Sequence, residues 1–149
     1  MIPLSRVSVF EAFKLKTDQV EQQEEILRSQ IRELDETKRK KFYSRYSAQL
    51  KDPDTYAVLN FFFITGLHHF YLTNHLQGSF NLSGLVIGLI LIFGDSESGV
   101  VTGFSLLVLV TIIELPALFR SQVIVTDYNN RLAVKTLLNI NDPSLELPN

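Results

Sequence analysis

The chain contains no cysteine. Disulfides, thiolate catalysis and cysteine-based zinc sites are therefore excluded. A second absence is regional: all fourteen Lys and Arg residues lie before Asp52 or after Phe119, and only Asp52, Asp54, Asp95, Glu97 and Glu114 carry charge between those limits. A water-exposed domain covers its surface with charge, so this gap would leave a long apolar face bare, whereas a lipid-facing surface needs no charge. A third absence is chemical. No serine–histidine–acid set, phosphate-cradling glycine loop, dinucleotide fingerprint or paired acid cluster is visible. With a net charge of −2, the expectation is a protein that is not an enzyme, with no cofactor, metal, nucleic acid or small-molecule substrate. The N-terminal apolar run, Val7 to Phe10, is short and broken by Glu11, unlike a signal peptide, so the membrane segments themselves are expected to direct insertion.

Before the gap, Arg6, Val7, Val9, Phe10, Phe13, Lys14, Leu15 and Lys16 mix apolar and basic side chains. That mixture suits either a short packed element or an anchor at the membrane surface. Residues 18–50 have neither Gly nor Pro and are rich in Glu, Gln, Lys, Arg and Leu, which predicts one long helix of about 50 Å, with Asp18 or Thr17 as its cap. Val20, Leu27, Ile31 and Leu34 fall on a heptad seam that Glu24 interrupts. This seam is a candidate docking stripe for a partner or another copy, the alternatives being packing on the chain itself or plain solvation. Lys38, Arg39, Lys40, Lys41 and Arg45, with Phe42, Tyr43 and Tyr46 among them, sit just before the apolar region. Cations there pair with anionic lipid headgroups, and tyrosines suit the interface. Asp52-Pro53 reads as a cap and first turn of a new helix.

Three apolar stretches follow: Tyr56 to Leu72, Phe80 to Phe93 and Val100 to Phe119. The third reaches the roughly 20 residues that span a bilayer, and the second spans if extended back to Gln77 or tilted. The first is interrupted by Gly66, His68 and His69. Basic residues place the N-terminal arm in the cytoplasm; Arg120, Arg131 and Lys135 favour the same side for the C-terminus, and the cation-free turn around Asp95 and Glu97 belongs on the far side. The expected fold is all-α: an integral membrane helical hairpin with a re-entrant or interfacial first helix and a long cytoplasmic N-terminal helix. Three crossings with an exported C-terminus is the competing topology. The expected division is a cytoplasmic helical arm over 1–50, a membrane domain over 51–138 and a loose tail over 139–149, with a short surface helix over 121–138. The location expected is a bacterial inner membrane.

Gly66-Leu67-His68-His69-Phe70-Tyr71-Leu72 resembles the signature of the two-transmembrane domain (TM-2 domain) family: Gly, a spacer, His or Asp, Arg, then Phe-Tyr-Leu-Gly. Ile112-Ile113-Glu114-Leu115 resembles that family's apolar pair followed by Asp-Leu, and Tyr128-Asn129 its closing Tyr-Asn; Lys51 and Ala57 also match. The resemblance covers about residues 51–130, with His69, Thr73 and Glu114 standing where the family has Arg, Gly and Asp. It implies a small two-helix membrane domain more than any activity. In animals the family is linked to signalling and membrane trafficking.

Glu114, in the third apolar stretch with Pro116 after it, is either a structural polar contact or a proton, cation or partner site. His68, His69 and His75 are all the histidines. Adjacent histidines on a regular helix point about 100° apart, which argues against joint chelation; a histidine–Glu114 hydrogen bond is expected instead. Gly84 and Gly88, and Gly99 and Gly103, form small-xxx-small pairs that suit close packing within the hairpin or dimerisation. The functional expectation is a scaffold or accessory subunit, bound to the lipid bilayer and to a protein partner or a homo-oligomer. An oligomeric pore or ion-coupled transport subunit using Glu114 and the histidines is the alternative.

Overall fold

The computed structural model describes residues 14–62 and 65–141, so the expectations for the first thirteen residues and for 142–149 lie outside the described residues. Among the described residues there are seven helices and no strand, as the all-α reading expects.

Residues 18–50 do not form one helix. Helix α1 (Thr17–Glu33) stops at Leu34, whose backbone is extended, and α2 (Glu36–Ser47) starts afresh. Asp35 causes the break: its carboxylate accepts the Lys38 N–H at 2.9 Å. Asp is a mediocre helix-interior residue but a strong N-cap, so a new start here outcompetes continuation. The start of α1 likewise differs from expectation, because neither Asp18 nor Thr17 caps it; Lys16 holds the N-cap position without a side-chain hydrogen bond.

The two short helices fold back onto α7 (Ser121–Asn141). Val20, Leu27 and Ile31 are buried; Leu27 and Ile31 join Phe42, Ala133, Leu137 and Ile140 in one core, with Leu34 packed against it. The candidate docking stripe is thus consumed inside the chain, and the arm is not separate from the C-terminal helix. The expectation of a surface helix over 121–138 is corrected as well. Eleven residues of α7 are buried, and it runs on to Asn141, into the segment expected to be loose. Its polar groups have partners that the sequence hides. Asn130 donates to the Val20 carbonyl at 2.9 Å, and Asn129 clamps Lys51 by accepting from its N–H (3.0 Å) and donating to its carbonyl (2.8 Å). Asp127 pairs with Arg131 at 2.9 Å.

Helix α3 (Pro53–Phe61) begins as expected, with Pro53 in its first turn and the Asp52 carboxylate accepting the Thr55 N–H at 2.7 Å. A left-handed Gly66 (φ 67°) then opens the five-residue α4 (Leu67–Tyr71). Tyr56 of α3 and Leu72 join Ala117, Ile124, Val125 and Tyr128 in a second core, so α7 serves both cores.

Helices α5 (His75–Ile92) and α6 (Glu97–Phe119) are long and apolar enough to cross a membrane. They run antiparallel: a Cβ placed on Gly103 would lie 2.6 Å from the Gly88 carbonyl oxygen, and one on Gly99 3.1 Å from that of Leu91. These glycines set the closeness of the hairpin. Gly84 does not share the role, since a Cβ there would meet nothing nearer than Val110 Cγ2 at 4.0 Å. Most of the remaining surface of the pair is bare hydrocarbon, including Phe80, Ile90, Phe93, Val101, Phe104 and Ile112. The cations Lys38, Arg39, Lys40, Lys41 and Arg45 are all exposed on α2.

Candidate functional site

A buried polar cluster lies where α4 meets the hairpin. Glu114, on α6, points inward rather than toward the outer apolar face. Its Oε2 lies 3.2 Å from His68 Nε2, and its Oε1 lies 3.2 Å from His69 Nε2 and accepts the Asn81 amide at 2.7 Å. All three partners are buried. The expected histidine–Glu114 contact is present, and it is made by both adjacent histidines. The 100° argument fails for a physical reason. Helix α4 is little more than one turn long, and the contacting Nε2 is the far atom of each ring. Two diverging Cβ vectors can therefore bring their ring tips to the two oxygens of one carboxylate; the ring centroids are 4.0 Å apart. His75 takes no part. It starts α5, is exposed, and faces the Phe70 ring at 6.0 Å.

Several residues that carry no charge make this approach possible. A Cβ on Gly66 would sit 2.8 Å from Asn81 Cβ, and one on Gly78 2.7 Å from the Phe70 ring. Both glycines let α4 lie directly on α5. The far end of α4 closes in a Schellman pattern: Thr73 N–H to the Phe70 carbonyl (2.9 Å) and Asn74 N–H to that of His69 (2.8 Å). Such a closure needs a left-handed residue, and Thr73 supplies it at φ 60°. This is the position at which the two-transmembrane signature carries Gly. Tyr71, next along the signature, accepts the Asp52 N–H at 2.9 Å through its hydroxyl, while Lys51 Nζ lies 4.5 Å from the centre of its ring.

Tyr56 packs edge-on to His68 with ring centroids 5.4 Å apart. Burial pushes the His68 imidazole below its ordinary range, against the opposing pull of the Glu114 hydrogen bond. Burial pushes the Tyr56 phenol up. His68 Nδ1 is buried without a partner, as are both amide atoms of Asn60, one turn along α3 from Tyr56. Sequence reasoning missed Asn81, Gly78 and Tyr56. The one available signal was the i, i+3 spacing of Gly78 and Asn81, which puts them on one face of the helix.

The motif residues Gly66, His68, His69, Phe70, Tyr71 and Glu114 are thereby brought to one place. The packing glycines lie along the hairpin, and the basic residues of α2 remain apart from the cluster. Comparison with family models, with curated proteins and with solved structures finds no match to this chain.

Proposed function

We propose that this is a small integral membrane protein, a divergent relative of the two-transmembrane domain family, that acts as a scaffold or accessory subunit. In this reading α5 and α6 cross the bilayer, α3 and α4 dip into its near face, and α1, α2 and α7 form a cytoplasmic lobe that receives a protein partner. The observation that carries it is the split in the surface. In the most apolar 18-residue window of each hairpin helix only 17% of residues are buried, and large hydrocarbon side chains dominate what is exposed, while the lobe has its own core and a charged exterior. Bare apolar area on this scale needs lipid as its solvent. The packing of α7 on α1 and α2 supports an even number of crossings, because it puts both ends of the described chain at one end of the hairpin. The exposed cations of α2 suit anionic headgroups at that face.

The Leu27–Ile31 stripe is not itself a free docking face, because it is buried under α2 and α7 and contributes only to the lining of a groove. What the lobe offers instead is a groove between α1, α2 and α7, lined by Leu27, Arg28, Tyr43, Tyr46 and Leu50 among others. Tyr43 and Leu50 are exposed. Exposed aromatic and Arg side chains around a concave surface are the usual anchors of protein recognition. The inward orientation of Glu114 and the histidines favours this reading over a pore, which needs those groups on a conducting path.

A photocrosslinker at Tyr43 tests the assignment in intact cells. A discrete protein adduct is expected, lost on Tyr46→Ala or Leu50→Ala with membrane insertion retained. Adducts to lipid alone would overturn the docking role, and an adduct to a second copy would make the partner the protein itself.

A further inference from the structure

We propose that His68, His69, Glu114 and Asn81 form a binding site for one divalent transition-metal ion of the zinc–iron(II)–cobalt(II) class. The inference stands apart from the scaffold reading, since the site is the same whichever protein docks on the lobe.

The donor geometry comes first. His68, His69 and Glu114 each offer one ligand atom, and these atoms lie within 4.8 Å of one another; the two Nε2 atoms are each 3.2 Å from a different oxygen of Glu114. Ligands about 2.0–2.1 Å from a zinc-like ion, at angles between octahedral and tetrahedral, sit about 2.9–3.4 Å from each other. The two nitrogen–oxygen distances therefore fit an ion held between the groups as well as they fit hydrogen bonds. Asn81 supplies the fourth position. Its amide nitrogen is 2.7 Å from Glu114 Oε1; turned over, the amide presents Oδ1 there instead. Two acceptors face each other at that distance only with a cation between them.

The donor chemistry selects the ion. Two imidazoles, one carboxylate and one amide oxygen are borderline ligands. They suit zinc and its divalent neighbours, whereas Mg²⁺ and Ca²⁺ require an oxygen-rich shell and Cu(I) favours sulfur. Charge supplies a further reason. Among the described residues no Lys or Arg side chain is a hydrogen-bond partner of the buried Glu114 carboxylate, and a metal cation bound there would sit directly against that acid.

The backbone fixes where the two histidines lie. Helix α4 is fixed at both ends by left-handed residues, Gly66 (φ 67°) and Thr73 (φ 60°). Strain of this kind persists where the surrounding structure holds side chains in a set geometry. Metal at Nε2 moves the ring proton to Nδ1. On His68 that atom is buried and has no hydrogen-bond partner. The ion is structural in this arrangement: it ties α4 to both hairpin helices, since His68 and His69 lie on α4, Asn81 on α5 and Glu114 on α6.

The test uses the untagged full-length protein in detergent. Metal content is measured after purification, and chelator-treated protein is then titrated with Co²⁺ by visible absorption and with Zn²⁺ by thermal unfolding. We expect about one ion per chain, intense tetrahedral Co²⁺ bands and a raised Tm. Affinity should fall at least tenfold in His69→Ala and Glu114→Gln and stay unchanged in His75→Ala. A second variant guards against misfolding. Asn81→Asp adds an anionic ligand, so with metal it is expected to bind more tightly and melt higher than wild type; without metal, two carboxylates face each other and it melts lower. Sub-stoichiometric metal with no Co²⁺ band, binding that survives in Glu114→Gln, or an Asn81→Asp protein whose stability ignores metal would each overturn the proposal.

Discussion

At the scale of the residue, the turn after α4 is where sequence and backbone disagree most. Thr73 is β-branched, exposed and left-handed. That conformation costs an L-residue about 1–2 kcal/mol, while a glycine loses about 0.5–1 kcal/mol more chain entropy on folding. Thr73→Gly is therefore expected to stabilise the protein by about 0.5–1 kcal/mol. Unfolding in detergent checks this, with Thr73→Ala as the control that gains nothing. Gly66 shows the opposite sign. Alanine there would pay for the positive φ and press its Cβ to 2.8 Å from Asn81 Cβ, an expected loss of about 2–4 kcal/mol. Asp52 adds a pH dependence. Its hydrogen bonds from Thr55 hold its carboxyl below the usual range. The ionised cap thus stabilises the fold above the unfolded value near pH 4, and that contribution is lost as pH falls through the lower folded value. Asp52→Asn caps without titrating, so the stability of wild type relative to this variant should decline between pH 5 and pH 3; a constant difference in melting temperature would contradict the cap.

At the scale of the element, the two glycine pairs separate by function. Gly103→Ala would force a Cβ to 2.6 Å from the Gly88 carbonyl and 2.9 Å from Leu91 Cβ, so it should splay α5 from α6 at an expected cost of about 1–3 kcal/mol. Gly84→Ala should be tolerated, because its nearest neighbour is 4.0 Å away. Equal effects of the two substitutions on detergent unfolding would mean the hairpin is in a different register. The small-residue spacing was legible in the chain; which pair makes the contact was not, because register depends on the turn at Gly94–Ser96. The Asp52-Pro53 start of α3 was legible because cap and proline act locally. The break at Asp35 was not, because Leu34 and Glu36 on either side are good helix formers, and the local cap is reinforced by a contact the sequence does not display, the docking of Phe42 beside Ile31. The meeting of His68 and His69 escaped notice because regular helical spacing was applied to a helix of five residues.

At the scale of the whole molecule, α7 was the most misleading segment. Asp127, Asn129, Asn130 and Arg131 give it the look of a surface helix, yet it is the pillar on which α1, α2 and α3 rest. Asn129 and Asn130 hydrogen-bond to backbone groups far away in sequence, and no local pattern announces such pairs. Removing residues 18–50 would consequently bare Ala133, Leu137 and Ile140, so partner binding has to be probed by point substitutions in the groove. The long middle without a Lys or Arg, by contrast, was plain from composition, and its second and third apolar stretches are the two helices long and apolar enough to cross a membrane. The proposal that this hairpin crosses a bilayer with both ends on one side is the centre of the account. The chain's lack of cysteine gives a clean background for single-cysteine labelling with a membrane-impermeant maleimide. Ser98→Cys, in the first turn of α6, is predicted to react in intact cells, while Ser29→Cys and Asn141→Cys react only after the membrane is opened. Labelling of all three positions from the same side would contradict it.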